Sequence, residues 1–245
     1  MTRVRLFALT AVLTGSLLSL CYGAVAPPAQ PPVTVRPVPQ QATQTWWMPR
    51  HDAVCARVKQ GHVDLILIGD SITHGWEGGG KEVWQKYYAP RNAVNMGFSG
   101  DRTEHVLWRL EHGEIDGLTP KLAMIMIGTN NSGSNTPEDI AEGVKAIVCK
   151  LRSQLPDMKI LLLGVFPRGA DDEDRLRQVN AKTNEIIAKL ADGKNVVYLD
   201  IGPKFLGPRG TLSKEIMPDR LHPNRRGYQI WAEAVEPTVA KLMGE

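Results

Sequence analysis

Five short apolar runs, separated by stretches of helical periodicity, constrain this chain more than any other feature. They are VDLILIG (63–69), NAVNMG (92–97), KLAMIMIG (121–128), KILLLGVF (159–166) and NVVYLD (195–200). Each is nearly continuous in apolar residues rather than alternating. A strand of that kind is buried on both faces, which requires a parallel sheet covered by helices on either side. The intervening stretches supply those helices: TEHVLWRLEHG, TPEDIAEGVKAIVCKLRSQL and EDRLRQVNAKTNEIIAKLAD. The second of them is predicted to start at Thr136 as N-cap, with Pro137 at the first helical position and Glu138 and Asp139 in the first turn. WWMPRHDAVCARVKQG reads as an amphipathic helix entering the domain. A last helix is predicted from Arg225 to Met243, with Pro237 as a kink or break. The chain is therefore α/β, and no internal repeat is visible.

The ends of the 245-residue chain divide differently. MTRVR is a basic lead and LFALTAVLTGSLLSL an apolar core, followed by small residues near Gly23 and Ala24. That is the pattern of a cleaved export signal over residues 1–23. The apolar core is shorter than the roughly 20 residues a span needs, so no stable membrane insertion is expected after cleavage. Leu20 before Cys21 does not suit a lipid-attachment site. Residues 24–45 are dense in proline and read as a semi-rigid tether or a disordered arm. The domain then occupies residues 46–245. The expected location is exported, either periplasmic or secreted.

Of three cysteines, Cys21 leaves with the signal. Cys55 and Cys149 remain, and whether they pair is a matter of geometry rather than spacing. The formal charge is +3, with Arg3 and Arg5 contributing two of the positives at the extreme N-terminus. A nearly neutral domain gives no basis for a nucleic-acid partner.

In open α/β sheets, sites form beyond the carboxyl ends of the strands. After the first run come Gly69, Asp70 and Ser71. After the second come Ser99, Gly100 and Asp101, and after the third Thr129, Asn130 and Asn131. Asp219 and His222 follow the fifth. Taken singly, each has a plain structural explanation. Ser71 suits a helix cap, Gly100 and Asn130 suit turns, and His222 suits a helix start. Taken together, they meet a chemical specification. A serine hydroxyl needs a base to take its proton, and His222 is the natural candidate. Asp219, three residues earlier, can hold the other ring nitrogen. The N–H groups of Ser71 and Gly100 and the amide of Asn130 would stabilise an oxyanion.

The blocks GDSI, NMGFSGD, GTNN and DRLHP occur in the order seen in the SGNH (GDSL) hydrolase superfamily, which the chain resembles. GDRTEHVLWRLEHGEIDGLTPKLAMIMIGTNN and LRQVNAKTNEII are further similar to the catalytic subunits of platelet-activating-factor acetylhydrolase Ib. The resemblance runs from Trp46 to the C-terminus. It implies a flavodoxin-like three-layer α/β/α sandwich with a five-stranded parallel sheet. It also implies a Ser71–His222–Asp219 triad and an oxyanion hole of Ser71, Gly100 and Asn130. Short-chain acyl esters, acetyl above all, would be cleaved without metal or cofactor. The branch it resembles forms homodimers, although no sequence patch identifies such an interface.

Other polar features have blander readings. EGGGK (77–81) lacks the spacing of a phosphate loop and reads as a rim loop. His105 and His112 share a helix face without a third ligand. His74 follows the nucleophile and lines the pocket without serving as base. Trp84, Trp108 and Trp231 read as packing residues. Arg168 either touches substrate or closes an ion pair, and Asp70 has no assigned chemistry. Three functions compete: a short-chain esterase on a small-molecule ester, a carbohydrate acetyl esterase with the same mechanism, and a non-catalytic binding protein on the hydrolase fold. A flavodoxin-like nucleotide binder is disfavoured by GDSITHGW, which makes no phosphate loop.

Overall fold

The computed structural model describes residues 30–40 and 45–245, so the expected export signal lies outside the described residues. Helix α1 (Trp47–Lys59) leads into β1 (Leu65–Gly69), the single-turn helix α2 (Ser71–His74) and α3 (Lys81–Tyr87). Strand β2 (Ala93–Gly97), helix α4 (Thr103–Glu111), β3 (Leu122–Met126) and α5 (Pro137–Gln154) follow. The chain continues through β4 (Lys159–Leu163), α6 (Arg175–Ile187) and β5 (Val196–Leu199) and closes with α7 (Arg225–Met243). All five strands pair in parallel, in the order β2-β1-β3-β4-β5.

The apolar runs divide by residue parity, as a strand buried on both faces must. Ile66, Ile68, Ala123 and Ile125 point into one core with Val54 of α1, Val106 of α4 and Val144 of α5. Leu65, Leu67, Met124 and Met126 point into the other with Val83 of α3 and Val235 and Val239 of α7. The result is the three-layer sandwich, with β1 in the interior of the sheet. Thr136 caps α5 by accepting from the Asp139 N–H at 3.1 Å. Helix α7 runs unbroken through Pro237, so the expected break does not occur.

The proline-rich segment departs from the expected tether. The compact unit extends from Pro31. Val33–Val35 form a 3₁₀ turn against α4 and α5. Thr34 is fully buried: its hydroxyl donates to the Asp139 carbonyl at 2.6 Å, and its carbonyl accepts from Thr103 Oγ1 at 3.0 Å. Gly143 on α5 makes room for it, since a Cβ there would sit 2.8 Å from the Thr34 oxygen. Proline rules out helix and sheet but not docking. Residues 31–40 are thus a strap on the domain, and the described chain resumes at Thr45, two residues ahead of α1.

Among the described residues no helix is long and apolar enough to cross a membrane. Cys55 and Cys149 are both free thiols.

Candidate active site

Strand β1 ends at Gly69, where the chain turns sharply into α2. A Cβ at Gly69 would clash with Thr73 in that turn and lie 2.5 Å from the Met126 carbonyl oxygen of the neighbouring β3. Asp70 is the N-cap of α2, its Oδ1 accepting from the Ile72 N–H at 2.9 Å. Ser71 is therefore the first helical residue and not the cap. Its hydroxyl is free to face outward, where it meets His222 Nε2 at 2.8 Å. His222 Nδ1 lies 2.6 Å from Asp219 Oδ2. The other Asp219 oxygen accepts from the backbone N–H groups of Leu221 at 3.0 Å and His222 at 2.8 Å.

This arrangement decides the proton positions. With Asp219 ionised, Nδ1 carries the ring proton and donates it, which leaves Nε2 to accept from the serine hydroxyl. Partial burial of the Asp219 carboxyl opposes ionisation. The hydrogen bonds from the His222 ring and the two backbone N–H groups outweigh it, so the carboxyl sits below its ordinary pKa. Arg220, between the two, adopts φ +58°. That left-handed residue lets Asp219 and His222 face each other within one turn.

The second block supplies a loop held from several sides. Gly100 has φ +79°, a conformation glycine adopts without strain. The Asn130 amide donates to the Asp101 carbonyl at 2.8 Å, which fixes the amide beside Gly100 and leaves its second N–H available. Beneath the loop, the buried Asp101 carboxylate accepts from Trp47 Nε1 at 2.7 Å and from Arg109 Nε at 2.8 Å. Arg109 is itself buried. It also binds Glu114 and stacks over the Phe98 ring at 3.9 Å.

Two further residues reach this loop, and sequence reasoning did not connect either to it. Gln40, at the end of the strap, donates from Nε2 to the Ser99 carbonyl at 3.2 Å and approaches Asp101 Oδ1 at 3.4 Å. The same nitrogen would lie 3.0 Å from a Cβ on Gly100. His74, one turn after Ser71, accepts at Nδ1 from the Ser99 N–H at 3.3 Å and meets Ser99 Oγ at 3.0 Å. The helix that Ser71 opens and the Gly100 loop are thereby latched together. Since Nδ1 is an acceptor, the neutral ring carries its proton on Nε2. Burial, with Arg50 adding to it, lowers the His74 pKa and favours that neutral form.

Asp70 is fully buried, and its Oδ2 has no hydrogen-bond partner. Burial pushes its pKa up to about 7, with the Ile72 N–H opposing, Asp101 adding and Arg168 opposing. Arg168 donates to the Thr129 carbonyl at 3.2 Å and hydroxyl at 3.1 Å. It braces the third block from within the protein. His105 accepts from the Arg102 N–H, and His112 stacks on Trp108. No cluster able to hold a metal exists among the described residues. Trp231 packs on Trp76 and Phe166, Trp84 on Trp76 and Tyr88, and Trp108 on Trp47, so these three indoles serve packing as expected.

Ser71, His222, His74, Glu77 and Ser99 line an open cleft of about 440 Å³, with Gly75, Gly78, Gly79, Pro223 and Tyr228 completing it. A groove of about 530 Å³ lies along the β2 edge and also includes Glu77.

Comparison with known proteins places the chain in a family. The model of the GDSL-like Lipase/Acylhydrolase family matches residues 67–230. The human platelet-activating factor acetylhydrolase IB subunit alpha1 is 35% identical over 213 residues, covering 86% of this chain and 90% of its own. The Gallus gallus alpha2 subunit is 36% identical over 200 residues, 81% of this chain and 86% of its own. Among solved structures, a GDSL-like lipase from Bacteroides thetaiotaomicron superposes with a TM-score of 0.62 at 17% identity, covering 80% of this chain and 97% of that one. An acetylxylan esterase from Geobacillus stearothermophilus superposes with a TM-score of 0.58 at 20% identity, covering 75% and 95%.

Proposed function

The chain belongs to the GDSL-like lipase/acylhydrolase family and is an SGNH-type ester hydrolase, and from this premise we propose that it cleaves short acyl esters, acetyl above all, through Ser71, His222 and Asp219. The observation that carries this reading is the unbroken array from Asp219 to His222 to Ser71, with spacings of 2.6 and 2.8 Å. The acetyl preference draws on the relatives named as acetylhydrolase subunits and on the esterase neighbour.

The chemistry follows from the array. Ser71 Oγ attacks the ester carbonyl as its proton passes to His222 Nε2. Asp219 stabilises the imidazolium and keeps the ring in place. Negative charge gathers on the former carbonyl oxygen. The Ser71 and Gly100 N–H groups and the second N–H of Asn130 are the donors we assign to it. Because Ser71 opens α2, its backbone N–H has no partner within that helix. Collapse of the intermediate releases the alcohol with the proton from His222. Water then enters by the same route in reverse and frees the acid.

The cleft fits this sequence of steps because it is open, as a leaving alcohol and an incoming water require. We further propose export, on the basic lead and apolar core of residues 1–23. N-terminal sequencing of the mature protein would read Ala24 or a neighbouring residue if so, and Met1 or Thr2 if not.

The test of the esterase reading is hydrolysis of p-nitrophenyl esters from acetyl to octanoyl, with Ser71→Ala alongside. Rates that fall with chain length and vanish in a folded variant support it. Turnover retained in Ser71→Ala overturns it.

A further inference from the structure

Gln40 ends the strap and lies outside the residues 67–230 that the family model matches, yet it reaches the backbone of the Gly100 loop. The Asp101 N–H donates to the Phe98 carbonyl at 3.1 Å, which closes a turn from Phe98 to Asp101. Gly100, third in that turn, has φ +79°, and the φ of Ser99 before it is not positive. This is the pattern of a type II turn. A type I turn over the same residues differs in that the peptide joining the second and third residues is flipped. Here that peptide is Ser99–Gly100, and its N–H is one of the donors assigned above to the oxyanion. Glycine accepts both conformations, so residue 100 alone does not decide which way the N–H points.

Gln40 supplies what the glycine lacks. Its Nε2 donates to the Ser99 carbonyl at 3.2 Å, the other end of the same peptide. Because that peptide is planar and trans, holding the C=O fixes the direction of the N–H opposite it. A donor on the carbonyl also polarises the peptide and strengthens its N–H as a donor. Asp101 Oδ1, the amide's other neighbour at 3.4 Å, is an acceptor too, so the nitrogen must face both.

This orientation leaves Gln40 Oε1 buried without a partner. An unpaired buried acceptor costs stability, and an apolar chain of the same length would fill the space without that cost. The strap is held in place upstream by Thr34 and by the Val38 N–H, which donates to the Glu104 carbonyl at 3.3 Å.

We propose that Gln40 is a positioning residue for the hydrolysis: it locks the Ser99–Gly100 peptide with the Gly100 N–H turned to the oxyanion, so that the strap completes the oxyanion hole. This role rests on the esterase reading above, and the experiment separates the two. It compares the full chain with Gln40→Met and Gln40→Asn on p-nitrophenyl acetate. Phenylboronic acid serves as the inhibitor, since its tetrahedral adduct on Ser71 places an oxygen where the oxyanion forms. In Gln40→Met, kcat should fall by about tenfold, short of the roughly 10²–10³-fold that loss of an oxyanion donor costs. KM should stay within about twofold, because the lock acts only in the transition state. The inhibition constant should rise by the same factor as kcat falls. The melting temperature should not fall, because the unpaired Oε1 leaves with the amide. Gln40→Asn, whose amide ends one methylene short of Ser99, should show the same loss of kcat and decides the question should Gln40→Met not fold. An unchanged kcat in a folded variant, a rise in KM alone, or a loss of kcat that leaves boronate inhibition unchanged overturns the proposal, while wild-type turnover keeps the esterase reading. A folded wild-type protein inactive on p-nitrophenyl acetate overturns both.

Discussion

His222 and His51 each meet a carboxylate through Nδ1, Asp219 at 2.6 Å and Glu114 at 3.0 Å, yet the two pairs live in opposite surroundings. The side chains of His222 and Asp219 are 41% and 55% exposed, and those of His51 and Glu114 are 5% and 0% exposed. The open pair has a serine on its second nitrogen. The closed pair has the His112 carbonyl there at 3.0 Å. Glu114 also binds Arg109, which holds Asp101 under the Gly100 loop. One pair opens on a cleft and faces a serine hydroxyl, the arrangement the proposed proton transfer requires. The other is enclosed and spends its hydrogen bonds on holding the loop in place. What separates the two histidines is what sits on the far nitrogen and whether a cleft reaches it.

Substitutions can break this contrast. His222→Ala should show the largest effect, lowering kcat on the order of 10⁴-fold or more on p-nitrophenyl acetate while the melting temperature stays within a few degrees. A drop of less than tenfold would deny His222 its role as base. Asn130→Ala should lower kcat by on the order of 10²–10³-fold if its amide serves the oxyanion. Since that amide also fixes the Asp101 carbonyl, KM and thermal unfolding should be followed in parallel. An unchanged kcat would return Asn130 to a purely local role. His51→Ala should do the reverse of His222→Ala. It should cost roughly 1–3 kcal/mol in urea unfolding by stripping partners from buried groups, with kcat of the folded fraction within a fewfold. A loss of activity without a loss of stability would erase the distinction between the pairs.

Asp70 sharpens the comparison, because it is as buried as Glu114 and adjacent to the nucleophile. Its pKa rises to about 7 in the folded protein, against about 3.9 in an unfolded chain. Between those values the folded state keeps a proton that the unfolded state releases. Stability should therefore fall as pH rises from about 4 to about 7, by up to about 1.4 kcal/mol per unit. Asp70→Asn keeps the cap to Ile72 and has no proton to lose. Its melting temperature relative to wild type should climb from pH 5 to about pH 7 and level off by pH 8. A constant difference across that range would show that Asp70 is ionised throughout.

The sheet was legible because β1 and β3 are buried on both faces, and burial of that kind writes unbroken apolar runs. That Ser71, His222 and Asp219 meet was legible because the edge beyond the strand ends is where such a fold displays polar residues; Ser71 follows β1, and the segment carrying Asp219 and His222 reaches the same edge. The latch between His74 and Ser99 was not. A histidine one turn after the nucleophile and a serine before Gly100 carry no spacing rule that pairs them across 25 residues. The strap was hidden for a different reason. Proline density excludes helix and ladder, and Thr34 is a single buried polar residue with no periodicity around it. Of the two outcomes expected at Pro237, the break does not occur, since the nineteen residues of α7 continue through it.

The nucleophile and its base are 151 residues apart in the chain. A growing polypeptide therefore carries Ser71, Gly100 and Asn130 long before anything can take the serine's proton. The Ser71–His222 contact therefore forms late, when the segment from Asp219 onward has been made and α7 has packed into the core it shares with β1 and β3.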